Sequence, residues 1–219
     1  MDAPPFAGAG FFGKVGSHGD FVKRRLPAPF VAAWDGWLQA ALLASRARLG
    51  EAWPHRYWHS PIWRFALAPG VCDEHAWAGV MMASADRVGR CFPLTLAAPA
   101  PPDSAARTAW LAPPDFLAQA AWYARLEALA TTASRPGFSL PQFDRALAAL
   151  DAPPAPALDS GVSRWWTEPA PMPSGGGDAV PRLLECRGLP EPSRFADLLD
   201  GRWPVQWGVE PTCSSGSGK

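Results

Sequence analysis

Residues 10–21 read GFFGKVGSHGDF, and this stretch constrains the fold more tightly than any other. Four glycines within twelve residues (Gly10, Gly13, Gly16, Gly19) let the backbone turn sharply. Phe11, Phe12 and Phe21 are apolar and call for burial. Lys14, Ser17, His18 and Asp20 supply polar groups between them. The pattern predicts a short strand, a tight glycine-rich turn and a return over 20–22. Such a turn holds Ser17, His18 and Asp20 at one surface point above an aromatic base. No known catalytic motif matches it.

A chain of 219 residues suits one generous domain. Twelve tryptophans and a hydrophobic fraction of 48% exclude disorder for most of its length. Twenty acidic and twenty basic residues balance, so the chain lacks the electrostatic footprint of a nucleic-acid binder or a polybasic membrane anchor. The first residues, MDAPPFAGAG, have neither a basic segment nor an apolar core, so no signal peptide is expected. No run of about eighteen apolar residues occurs, so no membrane insertion is expected. Cys72, Cys91, Cys186 and Cys213 lie far apart without a CxxC pair, which fits reduced thiols and a cytoplasmic location.

Pro27 and Pro29 pre-set a first helical turn. Phe30, Trp34, Trp37, Leu38, Ala41, Leu42, Ser45 and Leu49 then share one face at helical spacing, which predicts a helix over 28–49. Gly50 is its stop, with Arg46 and Arg48 at the negative end of the dipole. Residues 51–60 read as aromatic and irregular, interrupted at Trp53-Pro54. Alternation predicts strands over 62–67 and 91–98, with Pro93 at the start or edge of the latter, and 77–84 reads as a second, more buried strand between them. Their short connections imply an antiparallel meander. A long helix is expected from Pro113 to about Thr132, and a shorter one over 139–150 with Ser139 as N-cap. Strands over 162–167 and 182–186, a flexible loop over 168–181 and a short helix over 192–199 complete the reading. No internal repeat is present.

Ser17, His18 and Asp20 are the residue types of a nucleophile, base and acid, the basis of a hydrolase reading. Near-adjacent side chains seldom align in that order, and no G-x-S-x-G elbow occurs, so a turn bonding its own backbone is favoured. His55 and His59 are four apart and could share a helix face as metal ligands, but no third ligand has matching spacing, so no metal or cofactor is expected. Asp86, Arg87 and Arg90 bracket Val88-Gly89 in a hairpin turn. Their guanidiniums suit an anion or acidic-peptide sensor, or a structural ion pair joining two loops, with Asp20 as a candidate carboxylate. Ser17, Gly19, Asp20, Asp86, Arg87 and Arg90 are therefore the expected interaction or structural loop residues. Trp34, Trp37, Trp58, Trp63 and Trp77 are either core or an exposed docking face; the surplus of tryptophan places some, Trp34, Trp37 and Trp63 foremost, at a contact surface. Trp165-Trp166 on a strand sends one ring out of the main core. The final GSGK lacks the rest of a phosphate loop.

Five ordered blocks, GFFGKVGSHGDFV, LPAPFVAAWDGWLQAAL, PIWRFALAPGVC, WAGVMMASADRVGR and CFPLTLAAP, together resemble the TagF (ImpM) family of bacterial type VI secretion accessory proteins. The ordered match spans about residues 10–99; the later part agrees in length and layout. The resemblance implies tails over 1–9 and 211–219 around one domain over 10–210. That domain is α/β, or α+β-like, with a central, largely antiparallel sheet flanked by helices. It also implies a cytoplasmic, non-enzymatic regulator that represses secretion after translation. The implied partner is the forkhead-associated scaffold protein of the system, apart from the kinase and phosphatase branch. The family carries over no catalytic residues. Residues 168–181 have no clear place in its pattern.

Overall fold

The computed structural model describes residues 8–100, 113–153, 158–167 and 183–200. The tail over 211–219, most of the tail over 1–9 and the loop over 168–181 lie outside the described residues.

The elements run β1 (Gly10–Gly13), β2 (Val22–Arg24), α1 (Ala28–Leu49), α2 (Trp53–Trp58), β3 (Trp63–Leu67), β4 (Trp77–Met82), β5 (Leu94–Pro99), α3 (Pro113–Thr132), α4 (Leu140–Ala148), β6 (Val162–Trp166), β7 (Leu183–Arg187) and α5 (Phe195–Asp200). Seven strands form one sheet in the order β2-β1-β5-β4-β3-β6-β7, and every neighbouring pair is antiparallel. This is the largely antiparallel α+β arrangement that the family resemblance implies, and the β3–β4–β5 meander expected from the short connections stands at its centre. Helix α1 begins and ends where its apolar face does, closed by Gly50, whose N–H bonds the Arg46 carbonyl. Residues 53–58 form a helix that the Trp53-Pro54 pair argues against in the sequence. Proline is harmless there because a first-turn N–H needs no partner. Ser139 stands at the N-cap of α4, yet its side chain makes no capping bond.

Both faces of the sheet are covered. One face carries Phe12, Trp63, Phe65, Leu67, Trp77, Met81 and Trp165, packed with Phe30, Trp34, Trp37 and Leu38 of α1 and with α5. The other carries Phe11, Val22, Val80, Leu94 and Leu96, packed with Trp122, Tyr123 and Leu126 of α3 and with Phe143 and Leu147 of α4. Alternation of side chains along each strand divides them between the two cores. Trp165 therefore stacks on Trp34 at 5.6 Å on one side, while Trp166 meets Tyr123 at 4.8 Å on the other. The ring expected to leave the main core enters a second one.

Polar groups inside these layers are paired, as burial requires. Trp34 Nε1 donates to Thr95 Oγ1 at 2.8 Å, and Tyr123 Oη donates to the Phe65 carbonyl at 3.0 Å. Arg64 forks onto both carboxylate oxygens of Glu127 at 2.8 Å each, fixing α3 to β3. Arg25, at φ 53°, is the non-glycine residue with a positive φ among the described residues. Its guanidinium bonds the Ala9 carbonyl at 2.8 Å and Asp144 at 2.6 Å, holding that conformation in place.

Gly79 sits at the sheet centre beneath the Phe65 ring. A Cβ there would lie 2.2 Å from the Leu96 carbonyl oxygen and 2.5 Å from Phe65 Cζ. Backbone and a packed ring must both shift. Gly79→Ala is expected to destabilise the domain by at least about 1–3 kcal/mol, the cost of overpacking a core. Urea unfolding followed by tryptophan fluorescence checks it; a midpoint equal to wild type contradicts the packing described.

Candidate functional site

The loop over 14–21 and the turn over 84–92 meet at one corner of the molecule. Strand β1 pairs with β5, so the chain leaving β1 runs beside the chain entering β5. Gly13 makes that passage possible. Its φ is +142°, and a Cβ there would lie 2.1 Å from the Pro93 carbonyl oxygen. Gly16 and Gly19, expected to let the backbone turn sharply, are not among the positive-φ glycines.

Asp86 is the centre of the corner. Its side chain is fully buried. Oδ1 accepts the N–H groups of Val88 at 3.1 Å and Arg90 at 2.9 Å, closing the turn on itself. Oδ2 accepts Lys14 Nζ at 3.0 Å and Arg90 Nε at 2.6 Å. Burial pushes the Asp86 carboxyl up, but the bonds from Arg90, Lys14 and Val88 override it and hold the group well below the usual carboxylate range. Two further bonds tie the segments directly. Arg87 N donates to the His18 carbonyl at 2.8 Å, and Arg90 Nη2 donates to the Gly19 carbonyl at 2.6 Å.

A second line of bonds anchors the corner from below. Ser84 Oγ donates to the Lys14 carbonyl at 2.7 Å. Tyr57 of α2 donates its phenol to the Ser84 carbonyl at 2.7 Å and accepts the Ser84 N–H at 3.0 Å. Burial raises the Tyr57 phenol far above its ordinary value, so it stays protonated and keeps donating.

The two loops expected to meet therefore do meet, but through a different carboxylate. Asp20 is exposed and joins neither arginine; Asp86 takes that role. Arg90 is committed to Asp86 and Gly19, so the two-guanidinium fork of the anion-sensor reading is not formed. Arg87 makes no side-chain hydrogen bond or ion pair among the described residues. Ser17 Oγ lies 2.8 Å from His18 Nδ1, the reach a hydrolase needs, but the pair is exposed and Asp20 does not join it. His55 and His59 stack at 4.1 Å on α2, and among the described residues no group of three metal-binding side chains is found.

The aromatic contact face is corrected. Trp34, Trp37 and Trp63 are buried at 0%, 8% and 1% exposure, as is Trp77 at 0%, because all four pack in the one core between the sheet and α1. Trp58 is half-exposed. The ring that does reach solvent at the corner is Phe21, 47% exposed, although its sequence neighbourhood suggests burial. It stacks on Phe12 at 5.4 Å and meets the edge of Phe92 at 4.7 Å, with Lys14 Nζ 5.1 Å from its centroid. Val88 stands 68% exposed at the tip of the neighbouring turn. Phe21, Val88 and Lys14 are the site residues that sequence reasoning missed. Lys14 carries a usable signal: a lysine set among Phe12, Gly13 and Val15 needs a buried anion.

Sheet and corner together define a single-domain α+β protein that presents two pinned loops at one end of its central meander. The model of the TagF N-terminal domain, type VI secretion system-associated, matches residues 10–150, and the chain belongs to this family. The crystal structure of PA0076 from Pseudomonas aeruginosa PAO1 is similar over 93% of this chain and 98% of that one, with 33% identity and a TM-score of 0.73. No match is found among curated proteins.

The depressed Asp86 value fixes a pH dependence. A carboxyl whose folded value lies below its unfolded one, about 3.9, stabilises the fold fully above that value and loses its contribution as pH falls through the folded value. Asp86→Asn is expected to be less stable than wild type at pH 7, and the gap is expected to narrow as pH falls below about 4. Urea titrations of both proteins across that range check it. A gap that stays constant with pH contradicts the assignment.

Proposed function

We propose that this chain restrains a type VI secretion system after translation, in the cytoplasm, by binding the forkhead-associated scaffold protein of that system and without catalysing a reaction. Family membership supports the secretion context. The observation that carries the binding reading is the corner itself. Its polar groups are spent on holding two loops still, while an aromatic ring, an aliphatic tip and an unpaired guanidinium face outward. Such rigid presentation lowers the ordering cost of association. Among the described residues no helix is long and apolar enough to cross a membrane.

Isothermal titration of the purified chain with the purified scaffold protein tests this. The expected result is saturable binding with Kd near or below about 1 µM. Raising the chain's level in the host is expected to lower secretion without changing transcript levels of the secretion genes. Absence of binding, or repression that follows transcript levels, overturns the reading.

A further inference from the structure

The corner also specifies what kind of segment docks there. Phe21 packs on Phe12 and Phe92, which also touch each other, and Val88 is carried on a turn closed by Asp86, so both exposed apolar groups are preorganised. A fixed aromatic ring such as Phe21 suits an interface anchor, and Val88 beside it adds apolar area. Lys23 lies on β2, the edge strand, as the cross-strand partner of Phe12, on the same face as the ring that supports Phe21. Lys23 and Arg87 have no side-chain partner among the described residues. Lys14, Lys23, Arg87 and Arg90 outnumber Asp20 and Asp86 here, whereas the chain as a whole has no net charge. Positive potential is thus gathered at this corner, around an apolar centre.

Resting on the reading that the chain acts by binding the scaffold protein, we propose that the Phe21–Val88–Arg87–Lys23 patch is the docking surface, and that its occupant is an acidic segment of that partner with an apolar anchor residue. The anchor seats on Phe21 and Val88. Carboxylates flanking it pair with Arg87 and Lys23, which gives orientation and speeds encounter more than it adds affinity. A membrane surface is disfavoured because Asp20 sits inside the patch and only two exposed apolar side chains are available to insert.

The test uses the full chain and the full scaffold protein. Arg87→Glu and Lys23→Glu touch no bond within the domain and are expected to keep the wild-type melting temperature. Each is expected to weaken binding by about tenfold, with a shallower salt dependence. Phe21→Ser is expected to weaken it at least as much. Leu43→Ser, which alters a 73% exposed side chain on α1, is expected to bind as wild type. A photo-crosslinking residue at Val88 is expected to mark scaffold residues within a stretch rich in Asp and Glu. Binding unchanged in both charge reversals, loss in Leu43→Ser, or crosslinks to a basic stretch overturns the inference while leaving the scaffold reading intact. Phe21-dependent binding to phosphatidylserine vesicles, or Phe21-dependent self-association in sedimentation, overturns it in favour of a lipid surface or a second copy. No binding by the wild-type chain overturns the scaffold reading and this inference with it.

Discussion

Strands β1, β5, β4 and β3 at the middle of the sheet are buried on both faces, and the other features of the molecule follow from that constraint. Strands covered twice have no solvent face on which to place polar side chains, so each one that enters must find a partner within the layers. Thr95 meets Trp34, Arg64 meets Glu127, and the Tyr123 phenol meets a strand carbonyl. The same constraint explains the tryptophan content. Two cores, each walled by helices, house rings that a half-exposed sheet would leave in solvent. Charge and contact chemistry are then displaced to where the layers end, and the corner beside β1 and β5 is such a place.

At that corner a buried carboxylate is useful because its bonding is complete. Asp86 accepts four hydrogen bonds, two from its own turn and two from cationic side chains. A carboxylate in ionised form has about four acceptor sites, so none is left unsatisfied. Asp86 wins over Asp20 as partner of the arginines for a local reason. The turn N–H groups of Val88 and Arg90 already point at its side chain, so the ion pairs add to a geometry that costs no further ordering. Lys14, reaching from the other loop, converts a turn motif into a bridge between segments 72 positions apart.

Local pattern reveals most of this architecture and little of its surface. The apolar face of α1, the alternation in β3 and β5, the apolar run of β4, and the Asp–Gly turn between Asp86 and Arg90 are all readable because each depends on neighbours in sequence. Trp34, Trp37 and Trp63 mislead because periodicity shows which face of a helix or strand a residue occupies, not whether that face is covered. Phe21 misleads in the opposite sense. Its phenylalanine neighbours in sequence are buried, but it lies just before the edge strand, where the second layer stops. That β1 sits between β2 and β5, and so beside the 86–90 turn, is a fact of strand order that no periodicity encodes.

Exposure of Phe21 and the shortness of β2 are two consequences of one design problem. An edge strand offers unpaired backbone groups to any passing chain, and lysine, arginine and brevity are the usual safeguards. Strand β2 has all three, being three residues long with Lys23 and Arg24 exposed. These safeguards repel other basic or bulky edges, yet they favour an acidic chain. In the proposed docking, the charges that protect the edge from indiscriminate pairing would also select among partners, and the ring packed on Phe12 and Phe92 beside them would supply the apolar contact that charge alone lacks. Specificity of that kind would arise from the exclusion of wrong partners as much as from attraction of the right one.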